Sequence, residues 1–353
     1  MNALGMRALL ACVIVWVYAG RLWGSAMDDL ENKGKVALEK SDFDVAIRAF
    51  SEMIEANPGS AAGYYGRGVT YGKMKKLDAS LRDLSKAIQI DPGNYKAYYN
   101  RGVVYDKLGD SKHELADYDE ALRINPHDPY SLHNRGVAYY KTGDYTQALR
   151  DLDEAIRLAP KMASCHSNKG LVYRGKGELE RALSEFGEAI RLDPSIAKAY
   201  WGRATVYCMK TEYKKAKQDC SQAISLEPAE VTYRWYRVWP CLQLRDYDTV
   251  IVDLTHIIRA QDKPDYLLYG VRGCAFREKG DYEKAIADLT EAIRLKPDCL
   301  NAYYSRALAY DRSGDKVSAE RDYREARRVP PNGENMDDEF LHVPSKEYLR
   351  EID

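Results

Sequence analysis

Histidine is scarce in this chain: 6 among 353 residues, scattered along its length, so no cluster of imidazoles suggests a catalytic or metal-binding group. Neither HExxH nor GxSxG occurs, which removes the usual starting points for a zinc protease or a serine hydrolase. No CxxC occurs, and no Cys/His set has zinc spacing, so no metal is expected. The one glycine-rich run, Gly66 to Lys73, misses the spacing of a phosphate loop, and Met74 stands where Ser or Thr should follow. Charge of one sign is lacking too. Lys plus Arg number 53 against 54 Asp plus Glu, a net charge of −1 that argues against a nucleic-acid footprint. The only long apolar run is Ala8 to Ala19. No catalytic residue and no cofactor are implied, and an enzyme is not expected from this chain alone.

What the chain does have is a 34-residue echo from Met27 to Gly333. Nine windows fit it: 27–60, 61–94, 95–128, 129–162, 163–196, 197–230, 231–265, 266–299 and 300–333. Proline closes eight of them, at Pro58, Pro92, Pro126, Pro160, Pro194, Pro228, Pro297 and Pro331. An aromatic residue holds the eleventh place in seven, beginning with Tyr71 and Tyr105, and alanine the twenty-seventh place in seven, beginning with Ala87 and Ala121. A period of 20 to 50 residues signals a stacked array, because one unit cannot bury its apolar face without neighbours. Much of the packing volume comes from 28 tyrosines.

Each window reads as two short amphipathic helices. In the second, Tyr64, Gly68 and Tyr71 share one face at helical spacing. Between the helices stands Gly-Asp at 109–110, 143–144, 280–281 and 314–315, with Gly177-Glu178 as a variant. Glycine takes the left-handed conformation that ends one helix, and aspartate accepts from the free N–H groups that start the next. Small residues such as Ala148 and Ala155 let the two axes approach, and the late proline disfavours helix in the residue ahead of it.

The small residue at place eight, the aromatic at eleven, the alanines at twenty and twenty-seven and the late proline resemble the tetratricopeptide repeat. The resemblance covers all but the two ends of the chain. It implies an all-α fold, a right-handed superhelical solenoid of helix-turn-helix hairpins whose first helices line a concave groove.

Two windows depart from the pattern. The first keeps Gly34, Ala46, Phe50 and Pro58 but has Ala37 in the aromatic place, as a terminal cap would. The seventh has Val238 for the small residue, Cys241 for the aromatic, Asp262 for the proline, one inserted residue, and Pro240 inside its first helix. A proline there costs about 3 kcal/mol and bends or breaks the axis. Two outcomes are open: a decayed repeat held by its neighbours, or a bend that re-aims the last repeats. Either leaves the groove irregular at that point.

Place seven is Lys or Arg in every window: Lys33, Arg67, Arg101, Arg135, Lys169, Arg203, Arg237, Arg272 and Arg306. Alone it suggests a phosphate stripe. Place twenty-three is acidic in eight windows, however: Asp83, Asp117, Asp151, Glu185, Asp219, Asp253, Asp288 and Asp322. The two rows are expected to pair within or between repeats and to set their register. Exposed pairs would contribute only about 0 to 1 kcal/mol each.

The two ends read differently. Residues 1–26, with Arg7 ahead of the apolar run and Gly24-Ser25-Ala26 behind it, resemble a secretory signal peptide cleaved near Ala26. An uncleaved membrane anchor at residues 8–20 is the alternative, since about 20 residues make a comfortable span. The expected localisation is therefore exported, periplasmic or secreted. Cleavage leaves Cys165, Cys208, Cys220, Cys241, Cys274 and Cys299. Disulfides and buried free thiols are both open for these six, and the family resemblance brings Cys220 and Cys241 close together. The tail, 334–353, turns acidic and ends in a short amphipathic stretch, Ser345 to Ile352, suited to capping the last repeat.

The resemblance directs places two, five, six, nine and twelve of each first helix into the groove. Place six gives Asn100, Asn134 and Asn168, similar to the asparagine array of O-linked N-acetylglucosamine transferases, whose catalytic region is absent here. An amide offers donor and acceptor, which suits the backbone of an extended peptide. Place five offers Tyr65, Tyr99, His133, Trp201, Trp235 and Tyr304, and place nine Val69, Val103, Val137, Leu171 and Trp239. The valines suit packing, whereas Trp201, Trp235 and Trp239 suit a ligand. Lys96 and Lys198, at place two, suit acidic side chains of a partner. The carboxylate clamp of chaperone adaptors is not matched, because Asn168 and Lys198 are joined by His133, Val137 and Gly202 at the remaining places.

The expected function is thus a non-catalytic scaffold whose partner is a protein or an extended peptide segment, with neither nucleic acid nor, unless the first segment is retained, membrane. A docking subunit of a multi-chain enzyme and a groove for a glycan or other small ligand are the alternatives.

Overall fold

The computed structural model describes residues 26–328. The signal-like segment, apart from its last residue, and the acidic tail with its amphipathic stretch lie outside the described residues. Among the described residues every regular element is an α-helix. Residues 26–39 are helical, and seventeen further helices follow, from Phe43–Ala56 to Lys316–Arg328. Each has 13 or 14 residues, and two fall in each 34-residue window. None is long and apolar enough to cross a membrane.

The turn inside each hairpin follows from local chemistry. Gly109, Gly143, Gly177, Gly280 and Gly314 sit at φ between 73° and 95°, where a Cβ is strained. The aspartate that follows caps the second helix: Asp110, Asp144, Asp281 and Asp315 each accept the N–H of the residue three places on. Ser41, Lys75, Thr211 and Arg245 hold the same left-handed place at φ 56–60° without glycine's freedom. At the other end, second helices stop one or two residues short of the proline, as Phe43–Ala56 does ahead of Pro58.

The chain divides into two compact units, ending and beginning at Asn168 and Lys169. In the first, Phe50, Leu84, Tyr118 and Leu152, each from a second helix, are buried together with Ala46, Ala87, Ala121 and Ala155. The small-residue places exist because these side chains fill the space. A methyl at Gly102 would come within 2.8 Å of the Tyr118 ring. In the second unit Phe186, Cys220, Leu254 and Leu289 play the same part, and a methyl at Gly202 would lie 2.4 Å from Phe186.

Of the two outcomes left open for repeat seven, its described geometry agrees with a decayed repeat held by its neighbours. The helix Val231–Gln243 runs through Pro240 without a break, and Pro240 is buried beside Val238 and Cys241. Proline leaves the carbonyl of Tyr236 without its helical donor, yet the cluster formed by Val238, Cys241, Val250, Leu254 and Ile257 holds the turn in place. The inserted residue is absorbed in the connection 261–265.

Candidate functional site

The basic and acidic rows pair inside eight of the nine repeats, the first having Ala49 at the acidic place. Seven arginines send Nε to one carboxylate oxygen of their own place-twenty-three aspartate at 2.6–2.8 Å and Nη2 to the other at 2.7–3.1 Å. Lys169 and Glu185 meet at 2.7 Å. In six arginines the remaining nitrogen, Nη1, reaches back to the preceding repeat: Ser51, Ser85, Asp119, Ser221, Thr255 and Thr290 accept at 2.8–3.1 Å. The exception, Arg203, faces Gly187, which has no side chain to accept. Two-pronged contacts on carboxylates that are mostly buried hold more firmly than exposed pairs, so the row is structural and is no phosphate stripe.

The asparagine row and the place-five row form one network in the first unit. Asn100 Nδ2 donates to the Tyr65 hydroxyl at 3.2 Å and to the Lys96 carbonyl of its own helix at 2.8 Å. One repeat on, Asn134 Nδ2 donates to the Tyr99 hydroxyl at 3.3 Å. In the next, Asn168 Nδ2 lies 2.7 Å from His133 Nε2, while His133 Nδ1 lies 2.9 Å from Asn134 Oδ1. The only tautomer that satisfies both contacts carries its proton on Nδ1 and accepts at Nε2. Burial lowers the His133 pKa, partly opposed by its hydrogen bonds to Asn134 and to the Ser164 backbone. The amide nitrogens expected to reach a ligand are therefore engaged within the array. Among the described residues the acceptor Oδ1 atoms of Asn100 and Asn168 receive no hydrogen bond, and the Tyr65 and Tyr99 hydroxyls, which accept, retain a proton to give. Place six is glycine on either side of the row, at Gly66 and Gly202, where the rings of Phe50 and Phe186 fill the space.

The second unit holds the aromatic residues expected to meet a ligand, and they divide. Tyr304 is buried against Tyr323, with ring centroids 5.6 Å apart, and faces no groove. Trp201 stands edge-on to Tyr236 at 5.2 Å, near Tyr233 at 6.5 Å and under the Arg174 guanidinium at 5.8 Å, so its surface is spent on packing. Trp235 and Trp239 line a cavity of about 260 Å³ together with Ala204, Thr205, Cys208, Cys220 and Tyr236. Trp235 also lines a second, of about 310 Å³, between repeats seven and eight. Lys96 and Lys198 are exposed. The six cysteines within the described residues are free thiols, and burial pushes Cys208 up to about 11 and Cys165 and Cys241 to about 12. Among the described residues no group of three potential ligands could hold a metal ion.

Stacked helical hairpins of near-constant length, eight of them pinned by an ion pair between places seven and twenty-three, define a repeat scaffold. Models of the tetratricopeptide repeat match residues 61–94, 84–112, 109–167, 167–231 and 273–314, and the chain belongs to that family. Three solved structures share its fold. A tetratricopeptide repeat protein from Parabacteroides merdae is 20% identical over 81% of this chain and 99% of its own, with a TM-score of 0.50. The human IFIT1 dimer with PPP-AAAA is 16% identical over 87% of this chain and 73% of its own, at 0.56. Pseudomonas aeruginosa PilF is 21% identical over 58% of this chain and 93% of its own, at 0.51.

Proposed function

We propose that this chain is a non-catalytic scaffold that holds an extended segment of a partner protein by its main chain, in an exported compartment. The observation that carries this reading is the register of the Tyr65–Asn100, Tyr99–Asn134 and His133–Asn168 contacts, each spanning 35 residues. A Tyr–Asn pair presents one hydroxyl proton and one carbonyl oxygen per repeat, which matches the alternating C=O and N–H of a strand edge. Each hydrogen bond contributes about 0.5–1.5 kcal/mol, so the row needs several turns of the array to hold a peptide usefully. Exposed Lys96 would meet acidic side chains of the partner. The export reading rests on the charge and apolar pattern of residues 1–26.

The test is capture of peptides from a digested extract on immobilised protein, wild type against the Asn100→Ala, Asn134→Ala, Asn168→Ala triple variant. Loss of most captured peptides supports the reading, and an unchanged set defeats it. Enrichment of one intact enzyme by both forms would favour a docking subunit. Amino-terminal sequencing of protein recovered from the exported fraction tests the localisation. A start near residue 27 supports it, and retention inside the cell argues against it.

A further inference from the structure

Two cavities adjoin the irregular seventh repeat, and Trp235 lines both. The first is walled by Trp235, Tyr236 and Trp239 of repeat seven and by Ala204, Thr205, Cys208 and Cys220 of repeat six. The second is walled by Val231, Trp235, Ile257, Leu267 and Leu268, with Thr232, Gln261 and Asp265 also lining it. At about 260 and 310 Å³ each lies at or below the small end of the roughly 300–1,000 Å³ usual for small-molecule sites. Each suits a single large side chain. No charged side chain lines the first cavity, so a charged group entering it would lose its hydration without a partner.

We infer that this pair of cavities is a specificity site for an extended partner segment carrying two apolar side chains at alternate positions, one on each side of Trp235. The inference rests on reading the chain as a holder of extended segments, and adds which segments it selects. Atoms in contact with opposite faces of one ring lie about 7–8 Å apart. Alternate residues of an extended chain are about 6.6 Å apart, whereas neighbours point to opposite sides. Charge fixes the direction. Arg174 donates to Thr205 Oγ1 at 2.8 Å, which brings a positive charge to the margin of the first cavity. Asp265 brings an exposed carboxylate to the second, and its side chain makes no cap hydrogen bond to the helix it precedes. The preferred segment is acidic beside its first anchor and basic beside its second.

Fluorescein-labelled Gly-Asp-Leu-Ser-Leu-Lys-Gly, read by anisotropy on the full chain, tests this. Its controls replace both leucines by alanine, place the leucines side by side, or exchange the aspartate and lysine. The expected result is affinity at least tenfold higher for the alternating peptide than for the alanine or adjacent-leucine controls, with the charge-exchanged peptide between them. Trp235→Ala should erase that discrimination. The asparagine row belongs to the first unit and both cavities to the second, and seven extended residues span at most about 25 Å, so the triple asparagine variant should leave all four affinities unchanged. Trp235→Leu, which keeps an apolar side chain in place, gives the same reading if the alanine variant melts early. Equal affinities for all four peptides, or ratios that survive at Trp235, overturn the inference while leaving the main-chain reading standing. The main-chain reading fails separately, through an unchanged set of captured peptides in the triple asparagine variant. Dimerisation abolished by Trp235→Ala, without peptide discrimination, assigns the cavities to a second copy and overturns the inference.

Discussion

Arg237 grips Asp253 with two nitrogens, Nε to Oδ2 at 2.8 Å and Nη2 to Oδ1 at 2.7 Å, while the aspartate is fully shielded from solvent. Its third nitrogen donates to Ser221 of the preceding repeat at 2.9 Å, so one guanidinium fixes both the hairpin and its register. Arg234 adds a further bond to the same carboxylate at 3.1 Å. Removing one partner of such a pair leaves a shielded charge uncompensated. Asp253→Ala should therefore cost about 3–5 kcal/mol, seen as an early urea midpoint by circular dichroism. Ser221→Ala removes the inter-repeat bond together with the hydroxyl's bond to the Lys217 carbonyl of its own helix, leaves the ion pair in place, and should cost about 0.5–1.5 kcal/mol. Equal, small effects from both would show that the row does not set the register.

Thr211 occupies the left-handed turn place at φ 58°, where five other repeats have glycine. A β-branched residue is poorly suited to that region. Thr211→Gly should raise the melting temperature, with a gain of about 1 kcal/mol after glycine's greater freedom in the unfolded chain is counted. Gly143→Ala, the reverse change at φ 85°, should lower it by a similar amount. A stabilised Gly143→Ala protein would contradict this account of the turn.

Glu114 stands at place twenty, where Ala148, Ala182 and Ala216 pack closely, and it is 2% exposed. Burial pushes its carboxyl up to about 7, with Lys141 pulling it down and Asp106 pushing it further up. The folded chain therefore holds this proton more tightly than the unfolded one, whose value is the ordinary 4.5. The stabilisation is complete below 4.5 and is lost as pH rises through 7. Glu114→Ala should thus be more stable than wild type at pH 8, by roughly 2–3 kcal/mol, and lose most of that gain by pH 4. Thermal melts at the two pH values decide it, and a difference independent of pH counts against a shifted carboxyl.

The hairpins, their turns and the paired rows were legible because each depends on residues in register, and a period makes register visible. Gly143-Asp144 shows a left-handed place and a cap in two letters. Lys75 and Thr211 show neither, since nothing in those residue types signals a positive φ; only their alignment with Gly143 does. Tyr65 and Asn100 each looked like a groove residue, yet their contact joins place five of one repeat to place six of the next. Such a spacing carries no local signal. Pro240 left two outcomes open for a related reason. A lost helical bond is a local cost, and the buried residues that offset it come from its own helix and from Tyr247–Ala260. Trp201 and Tyr304 share a place with Trp235, and only their neighbours, Tyr236 and Tyr323, decide that they pack while Trp235 lines open space.

His133 is the one histidine in the place-five row, following Tyr65 and Tyr99 of the two preceding repeats. Its neutral ring accepts from Asn168 at Nε2 and donates to Asn134 at Nδ1. Protonation would set two donors face to face at 2.7 Å and break the row between its second and third asparagines. Because burial lowers the His133 pKa, the neutral form belongs to the folded chain, and its stabilisation is lost as pH falls below the ordinary 6.5 and through the lower folded value. Affinity for an extended peptide should hold steady from pH 8 to 7 and fall once pH drops below 6.5 and through the lower folded value. His133→Tyr restores the residue found one and two repeats earlier and supplies a hydroxyl that accepts from Asn168 without titrating. The variant should bind equally at pH 7 and pH 5. A pH dependence that persists in it would place the titrating group elsewhere and remove His133 from the binding row.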